Sequence, residues 1–144
     1  MSSFIIEKDT PGFIVEREIP LIGGARNFEL VLEDCRVPSS QLLGKEGNGF
    51  ASMQNRLVIR RLQMASWCVG MAERALKMMI EQANQRETFG VKLAERQTIQ
   101  WWVADAVTKI HALRLMVMDA AYKQDKGLDI RTEASMVKVY GTDM

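Results

Sequence analysis

The segment Leu43-Gly44-Lys45-Glu46-Gly47-Asn48-Gly49-Phe50 divides two kinds of sequence. Upstream of it the apolar residues come in short alternating runs. Phe4-Ile5-Ile6-Glu7 ends at Asp9-Thr10-Pro11-Gly12, and Phe13-Ile14-Val15-Glu16-Arg17 opens a second run. Gly23-Gly24 breaks the chain again. In the third run Phe28, Leu30 and Leu32 alternate with Glu29 and Glu33, the period of a half-buried strand, before Pro38-Ser39-Ser40 stops it. Three strands make a small sheet whose apolar faces need partner strands or helices.

Downstream the period becomes helical. Phe50, Met53, Leu57, Ala65, Val69, Ala72, Leu76, Met79 and Ile80 fall largely three and four apart, which predicts one amphipathic helix ending near Asn84. A second helix is expected from about Ala94, with Ile99, Trp102, Val103, Ala106, Ile110, Leu113 and Val117 on one face and a glycine cap at Gly127. A third follows Asp129, read as its N-cap, and carries Ala134, Val137 and Tyr140. Helices of roughly 30 residues run about 45 Å and want a bundle. An up-down bundle closes with about four helices, so the missing ones are expected from other subunits or from further parts of a larger protein. The fold class is therefore α+β: a short antiparallel β segment over residues 1–44, then long antiparallel helices of an incomplete four-helix bundle over residues 45–144.

Composition narrows the function. The 144 residues are 47% hydrophobic and 26% charged, with 19 Lys and Arg against 18 Asp and Glu for a net charge of +1. That balance, without a basic stripe, gives no electrostatic ground for nucleic-acid or anionic-membrane binding. No run approaches the roughly 18 apolar residues of a membrane span, and Met1–Glu7 lacks the features of a signal peptide; a cytoplasmic protein is expected, or a mitochondrial matrix one in a eukaryote. Cys35 and Cys68 lie in unlike segments and read as reduced, packed thiols. The ten methionines read as core filling.

Few residues carry chemistry. His111, the single histidine, has no Cys, Asp or Glu at ligand spacing, so no metal site is expected. Nucleophile-elbow, Walker and dinucleotide-binding glycine motifs are all absent. Within the Arg60-Arg61 pair, Arg61 lies four residues from both Leu57 and Ala65, on the apolar stripe, and there it needs an anionic partner. Between the long helices, Gln85-Arg86-Glu87-Thr88-Phe89-Gly90 reads in two ways. A plain helix-loop-helix connection needs only Gly90, whereas a site would pair Arg86 with a phosphate and stack Phe89 on a ring. Trp101-Trp102 reads as helix packing rather than as a base-stacking platform.

In combination these segments resemble the acyl-CoA dehydrogenases. Phe4–Gly12 resembles the later part of that family's middle β domain, and Leu32-Glu33-Asp34-Cys35-Arg36-Val37-Pro38 its F-[ED]-x-V-x-V-P strand. Leu43–Phe50 is similar to the lead-in to the C-terminal helical domain. Arg86-Glu87-Thr88-Phe89-Gly90 with Leu93 and Gln97 fits the signature R-x-x-F-G-x-x-L-x-x-x-Q, followed by Ala104-Asp105 for A-[DE]. The resemblance covers nearly the whole chain with its motifs in order.

The resemblance implies a flavoprotein oxidoreductase of fatty acid metabolism that removes hydrogens from the α and β carbons of an acyl-CoA thioester, a base taking the α proton and FAD the β hydride. It places Arg61 near the acyl-CoA substrate. Arg86, Thr88 and Phe89 would contact the FAD of a neighbouring subunit, Arg86 near the pyrophosphate, while Leu93, Arg96 and Gln97 line the same cofactor edge. A homotetramer built as a dimer of dimers and an electron-transfer flavoprotein partner are also implied. One departure matters: a minority of members place the base just before the arginine matched by Arg61, and Arg60 stands there. No residue is therefore assigned as catalytic. The chain looks like a central slice of a protein of about 400 residues, inactive alone and prone to self-association. Two other readings are a stand-alone helical oligomerisation or binding module without catalysis, and a flavin oxidase or monooxygenase.

Overall fold

The computed structural model describes residues 1–144, which divide into two compact units, Met1–Gln54 and Asn55–Met144. In the first unit the chain forms β1 (Ser3–Phe4), β2 (Phe13–Pro20), β3 (Arg26–Leu32) and β4 (Leu42–Leu43). β2 and β3 make an antiparallel hairpin that pairs Phe13 with Leu32 and Val15 with Leu30. A bulge between Val15 and Arg17 shifts the register, so Glu18 faces Phe28. The turn entering β2 requires glycine: Gly12 has φ +82°, and a β-carbon there would lie 2.1 Å from the Glu33 carbonyl oxygen. The Gly12 carbonyl accepts the Glu33 amide at 2.9 Å.

The first apolar run departs from expectation. Only Ser3 and Phe4 are strand, and they pair antiparallel with Leu43 and Leu42, not with the hairpin. The unit thus holds two separate two-stranded ladders in place of one three-stranded sheet. Phe28, Leu30 and Leu32 remain exposed, so their alternation marks an apolar face that residues 1–144 do not cover.

α1 (Gly49–Gln85) runs for 37 residues. Its first residue is pinned from the N-terminus: the Gly49 amide donates to the Met1 carbonyl at 3.1 Å, and Ser3 Oγ donates to the Gly49 carbonyl at 3.3 Å. A β-carbon on Gly49 would lie 2.6 Å from the Ser3 amide nitrogen, which excludes larger residues there. The expected helix thus forms, a residue beyond Asn84.

In the second unit α1 is followed by β5 (Glu87–Thr88), β6 (Val91–Lys92), α2 (Gln97–Asp125) and α3 (Arg131–Asp143). α2 starts at Gln97, not near Ala94, because Leu93–Glu95 form a 3-10 turn first. Its C-terminus is a Schellman motif: Gly127 has φ +72°, its amide donates to the Gln124 carbonyl at 2.9 Å, and the Leu128 amide donates to Lys123 at 3.1 Å. Asp129 caps α3 from one residue further out than expected. Ile130 is the N-cap, and an Asp129 carboxylate oxygen accepts the Arg131 amide at 3.0 Å.

The core of this unit joins Ala65 and Val69 of α1, Ile110 and Leu113 of α2 and Val137 of α3. Leu113 is 0% exposed. Close approach comes from small residues: a β-carbon on Gly141 would sit 3.1 Å from Leu113 Cδ2 and 3.5 Å from Ala65 Cα. Val58, Ile130 and Ala134 form a second cluster around the start of α3. The methionines depart from the core-filling expectation. Met116 and Met144 pack on the core, but Met1, Met53, Met71, Met78, Met118 and Met136 are exposed. Trp101 and Trp102 are likewise more than half exposed. Both cysteines are free and partly buried.

Lys123 joins α2 to α3, its ammonium donating to Glu133 at 2.9 Å and pairing with Asp119 at 2.8 Å. The Lys123 hydrogen bond holds the Glu133 carboxyl below its ordinary value of 4.5. A depressed carboxylate stabilises the fold above its unfolded pKa, and the contribution is lost as pH falls through the folded value. Glu133→Gln should therefore shrink the drop in melting temperature between about pH 7 and about pH 3; an unchanged drop would contradict the pairing. Gly141→Val should cost about 1–3 kcal/mol in denaturant unfolding by overpacking Leu113, and an unaffected midpoint would show that α3 does not approach so closely.

Candidate functional site

The residues singled out between the long helices form a built structure. β5 and β6 pair Glu87 with Lys92 and Thr88 with Val91, leaving Phe89-Gly90 as a two-residue turn. Both turn residues have positive φ, +54° at Phe89 and +76° at Gly90, the conformation of a type I′ hairpin. Glycine adopts it freely. A bulky aromatic does not, and the left-handed region costs such a residue about 1–2 kcal/mol. Phe89 is nevertheless 99% exposed, so burial within the chain does not offset that cost.

The hairpin is tied to both helices. The Leu93 amide donates to the Arg86 carbonyl at 2.9 Å, closing its base beside the end of α1. Glu95 accepts the Lys92 amide at 3.4 Å. Arg96 is the N-cap of α2, and its carbonyl accepts the Ile99 amide at 3.0 Å and the Gln100 amide at 3.2 Å. Its side chain turns back to the hairpin. Nη2 donates to the Thr88 carbonyl at 2.7 Å and to Thr88 Oγ1 at 3.1 Å, and the guanidinium lies 5.7 Å from the centre of the Phe89 ring.

The structure therefore brings together Arg86, Thr88, Phe89, Leu93, Arg96 and Gln97. Arg86 is exposed, and its guanidinium has no hydrogen bond or ion pair within the chain. Gln97 is exposed at the first turn of α2, where free backbone amides favour an anion. Leu93 is half-buried. Arg61 is not part of this group. It lies about 37 Å away along α1 at about 1.5 Å per residue, partly buried and without a hydrogen bond or ion pair. Its neighbour Arg60 is exposed, donates to Gln63 Oε1 at 3.5 Å and stacks on Trp67 at 4.5 Å. One copy of this unit thus presents two separated basic positions, each beside an exposed aromatic, Trp67 at one and Phe89 at the other.

Sequence reasoning missed the Arg60–Trp67 stack, although a spacing of seven on a helix places two residues on one face. It also missed the left-handed Phe89, for which the following glycine was the only signal. His111 is exposed, in a groove with Glu73, Leu76, Ile80, Val107 and Arg114, where Arg114 pairs with Glu73. An apolar groove of about 590 Å³ lies between α2 and α3, lined by Met116, Met136, Val139, Tyr140 and Met144. No three His, Cys, Asp or Glu side chains converge as a metal would need. No helix is long and apolar enough to cross a membrane.

Against known proteins, residues 47–144 match the family model "Acyl-CoA dehydrogenase, C-terminal domain". The chain belongs to the acyl-CoA dehydrogenase family. It is 44% identical over 144 residues to (R)-benzylsuccinyl-CoA dehydrogenase of Thauera aromatica, covering 99% of this chain and 36% of that protein. Butyryl-CoA dehydrogenase from Megasphaera elsdenii superposes with a TM-score of 0.92 at 34% identity, covering 99% of this chain and 38% of that one. A chain in the structure described as "Electron transferring flavoprotein of Acidaminococcus fermentans" gives a TM-score of 0.90 at 38% identity, with the same coverages. The chain thus spans little more than a third of the length of these relatives.

Because the Phe89 ring is strained and solvated, replacing it should not weaken the fold. Phe89→Asn, a side chain better suited to the left-handed region, should raise stability by about 0.5–1 kcal/mol in chemical denaturation. A loss of that size would show that the ring packs within the chain.

Proposed function

We propose that this chain is a portion of an FAD-dependent acyl-CoA dehydrogenase, an enzyme of α,β-dehydrogenation of acyl-CoA thioesters, and that the hairpin serves the cofactor site of a neighbouring subunit. The observation carrying this reading is Phe89, held strained and exposed at the tip of a hairpin whose base carries the exposed, unpaired Arg86. Strain without packing is a cost that a binding partner offsets. The residues fit the cofactor in kind: Arg86 has free donors for a pyrophosphate, Gln97 opens a helix N-terminus, and Phe89 offers a ring face. Bound FAD would supply hydride acceptance from the β carbon. Arg86 and Gln97 would hold its phosphates, and Thr88, Phe89 and Leu93 would shield its edge from water.

Arg61 belongs to a different ligand. A partly buried guanidinium on an apolar stripe, without a partner in the chain, suits the acyl-CoA side of the site. The distance between Arg61 and the hairpin supports two sites served by one chain, as in an oligomer whose cofactor pockets lie between subunits. Residues 1–44 then belong to the middle β domain and 45–144 to part of the C-terminal bundle. A homotetramer, an electron-transfer flavoprotein as electron acceptor and a cytoplasmic setting complete the proposal. The general base lies outside the residues assigned here, Arg60 being unable to take a proton at neutral pH.

In the complete assembled protein, Arg86→Ala should lower FAD affinity roughly tenfold, the value of a charge-assisted hydrogen bond. Flavin release on dilution measures it, with circular dichroism as the control for folding. Unchanged affinity would remove Arg86 from the cofactor site. Oxidation of acyl-CoAs with an artificial acceptor separates a dehydrogenase from a flavin oxidase, which would turn over without the acceptor, and from a module that binds no flavin at all.

A further inference from the structure

Arg96 holds an odd position among the six grouped residues. Its signature neighbours are Leu93 and Gln97, and its charge suggests a second arginine for the same anionic ligand. The geometry is different. The guanidinium spends Nη2 on the Thr88 carbonyl at 2.7 Å and on Thr88 Oγ1 at 3.1 Å, and its face lies 5.7 Å from the Phe89 ring centre. Its own backbone is meanwhile the first acceptor of α2. A single residue thus connects the helix start to Thr88 and Phe89 at the hairpin tip.

We propose that Arg96 is a positioning residue: it clamps the Thr88-Phe89-Gly90 tip to the start of α2 and so keeps Phe89 in its presenting, left-handed conformation. The proposal rests on the reading above only for the purpose of the presentation; the clamp itself stands on the contacts. A two-residue ladder such as β5–β6 is too short to hold an unfavourable turn alone. Strained residues persist only where their surroundings over-determine them, and the Arg96 side chain supplies two hydrogen bonds and a ring contact at the tip. The two donations also account for the hydroxyl at residue 88, since threonine offers Oγ1 as an acceptor and keeps its own proton free to donate outward. For a ligand, the result is fewer arginine donors but a preformed surface. Apparent affinity scales with the fraction of molecules in the competent conformation, so a loosened clamp weakens binding without removing any contact.

The test is hydrogen exchange by mass spectrometry on the full 144-residue chain, comparing wild type, Arg96→Gln, Thr88→Val and the double variant. Exchange in the middle of α1 and α2 serves as the internal measure of folding. Arg96→Gln should speed exchange at residues 88–93 roughly tenfold or more while leaving the helices unchanged. Thr88→Val, which keeps the carbonyl acceptor, should give a smaller effect. The double variant should exchange no faster than Arg96→Gln alone, because both changes break one interaction; a generally structural arginine would give additive effects. Equal hairpin rates in wild type and Arg96→Gln, whether slow or fast, would overturn the proposal, as would additivity in the double variant. Arg86→Ala should leave hairpin exchange unchanged. Failure of the flavin reading would appear as undiminished FAD affinity in Arg86→Ala with the Arg96 response intact, whereas failure of the clamp would appear in the exchange data alone.

Discussion

The close approach of α3 to α1 and α2 at Gly141 is the constraint from which the helical unit is built. Leu113 is fully buried there, with the Gly141 backbone and Ala65 on its flanks. Interiors pack too densely to accept an added group at such a point without a compensating shift. Around it the core is small, a handful of residues drawn from the central parts of α1 and α2 and from α3. Further along, α1 still meets α2 through the Glu73–Arg114 ion pair and the groove that Leu76 and Ile80 line with Val107 and Ile110, and the hairpin lies at the far end of α1.

This arrangement makes sense of two facts that would otherwise conflict. The chain is rich in large apolar side chains, yet Trp67, Met71, Met78, Trp101, Trp102, Leu115, Met118 and Tyr122 lie exposed along its helices. Long helices with one covered stripe and other apolar stripes open are suited to further helices or to other subunits. The Phe89 hairpin extends the same logic from packing to chemistry. Its ring is presented almost wholly to solvent, and the basic position at Arg61 stands far from it. The proposed site, divided between subunits, would account for both.

Much of this was legible in the sequence. The switch of period at Gly44–Gly49 located α1, and the three-and-four spacing gave Ala65, Val69, Ile110 and Leu113 as core and Gly127 as a cap. The strands were less legible. Alternation in Phe4–Glu7 and in Phe28–Glu33 looks alike, but pairing depends on which segment lies opposite, and Ser3–Phe4 pairs with Leu42–Leu43 across a long separation. Alternation also reports which face is apolar, not whether the same chain covers it. The methionines and tryptophans misled for that reason: helical spacing places them on a face, while burial depends on neighbours. At the candidate site the residue types were readable, since arginine, threonine, phenylalanine and glycine in that order suit an anion and a ring. The left-handed Phe89 and the return of Arg96 to Thr88 were not, because both arise from a turn geometry that contacts eight residues apart decide.

If the exposed apolar faces and the strained hairpin belong to an assembly of subunits, the chain itself should associate. Sedimentation velocity of the chain over a wide range of concentration tests it most directly. Association should grow with concentration, to dimers and larger species, with the helical signal retained throughout. A compact, fully helical monomer at every concentration would contradict it.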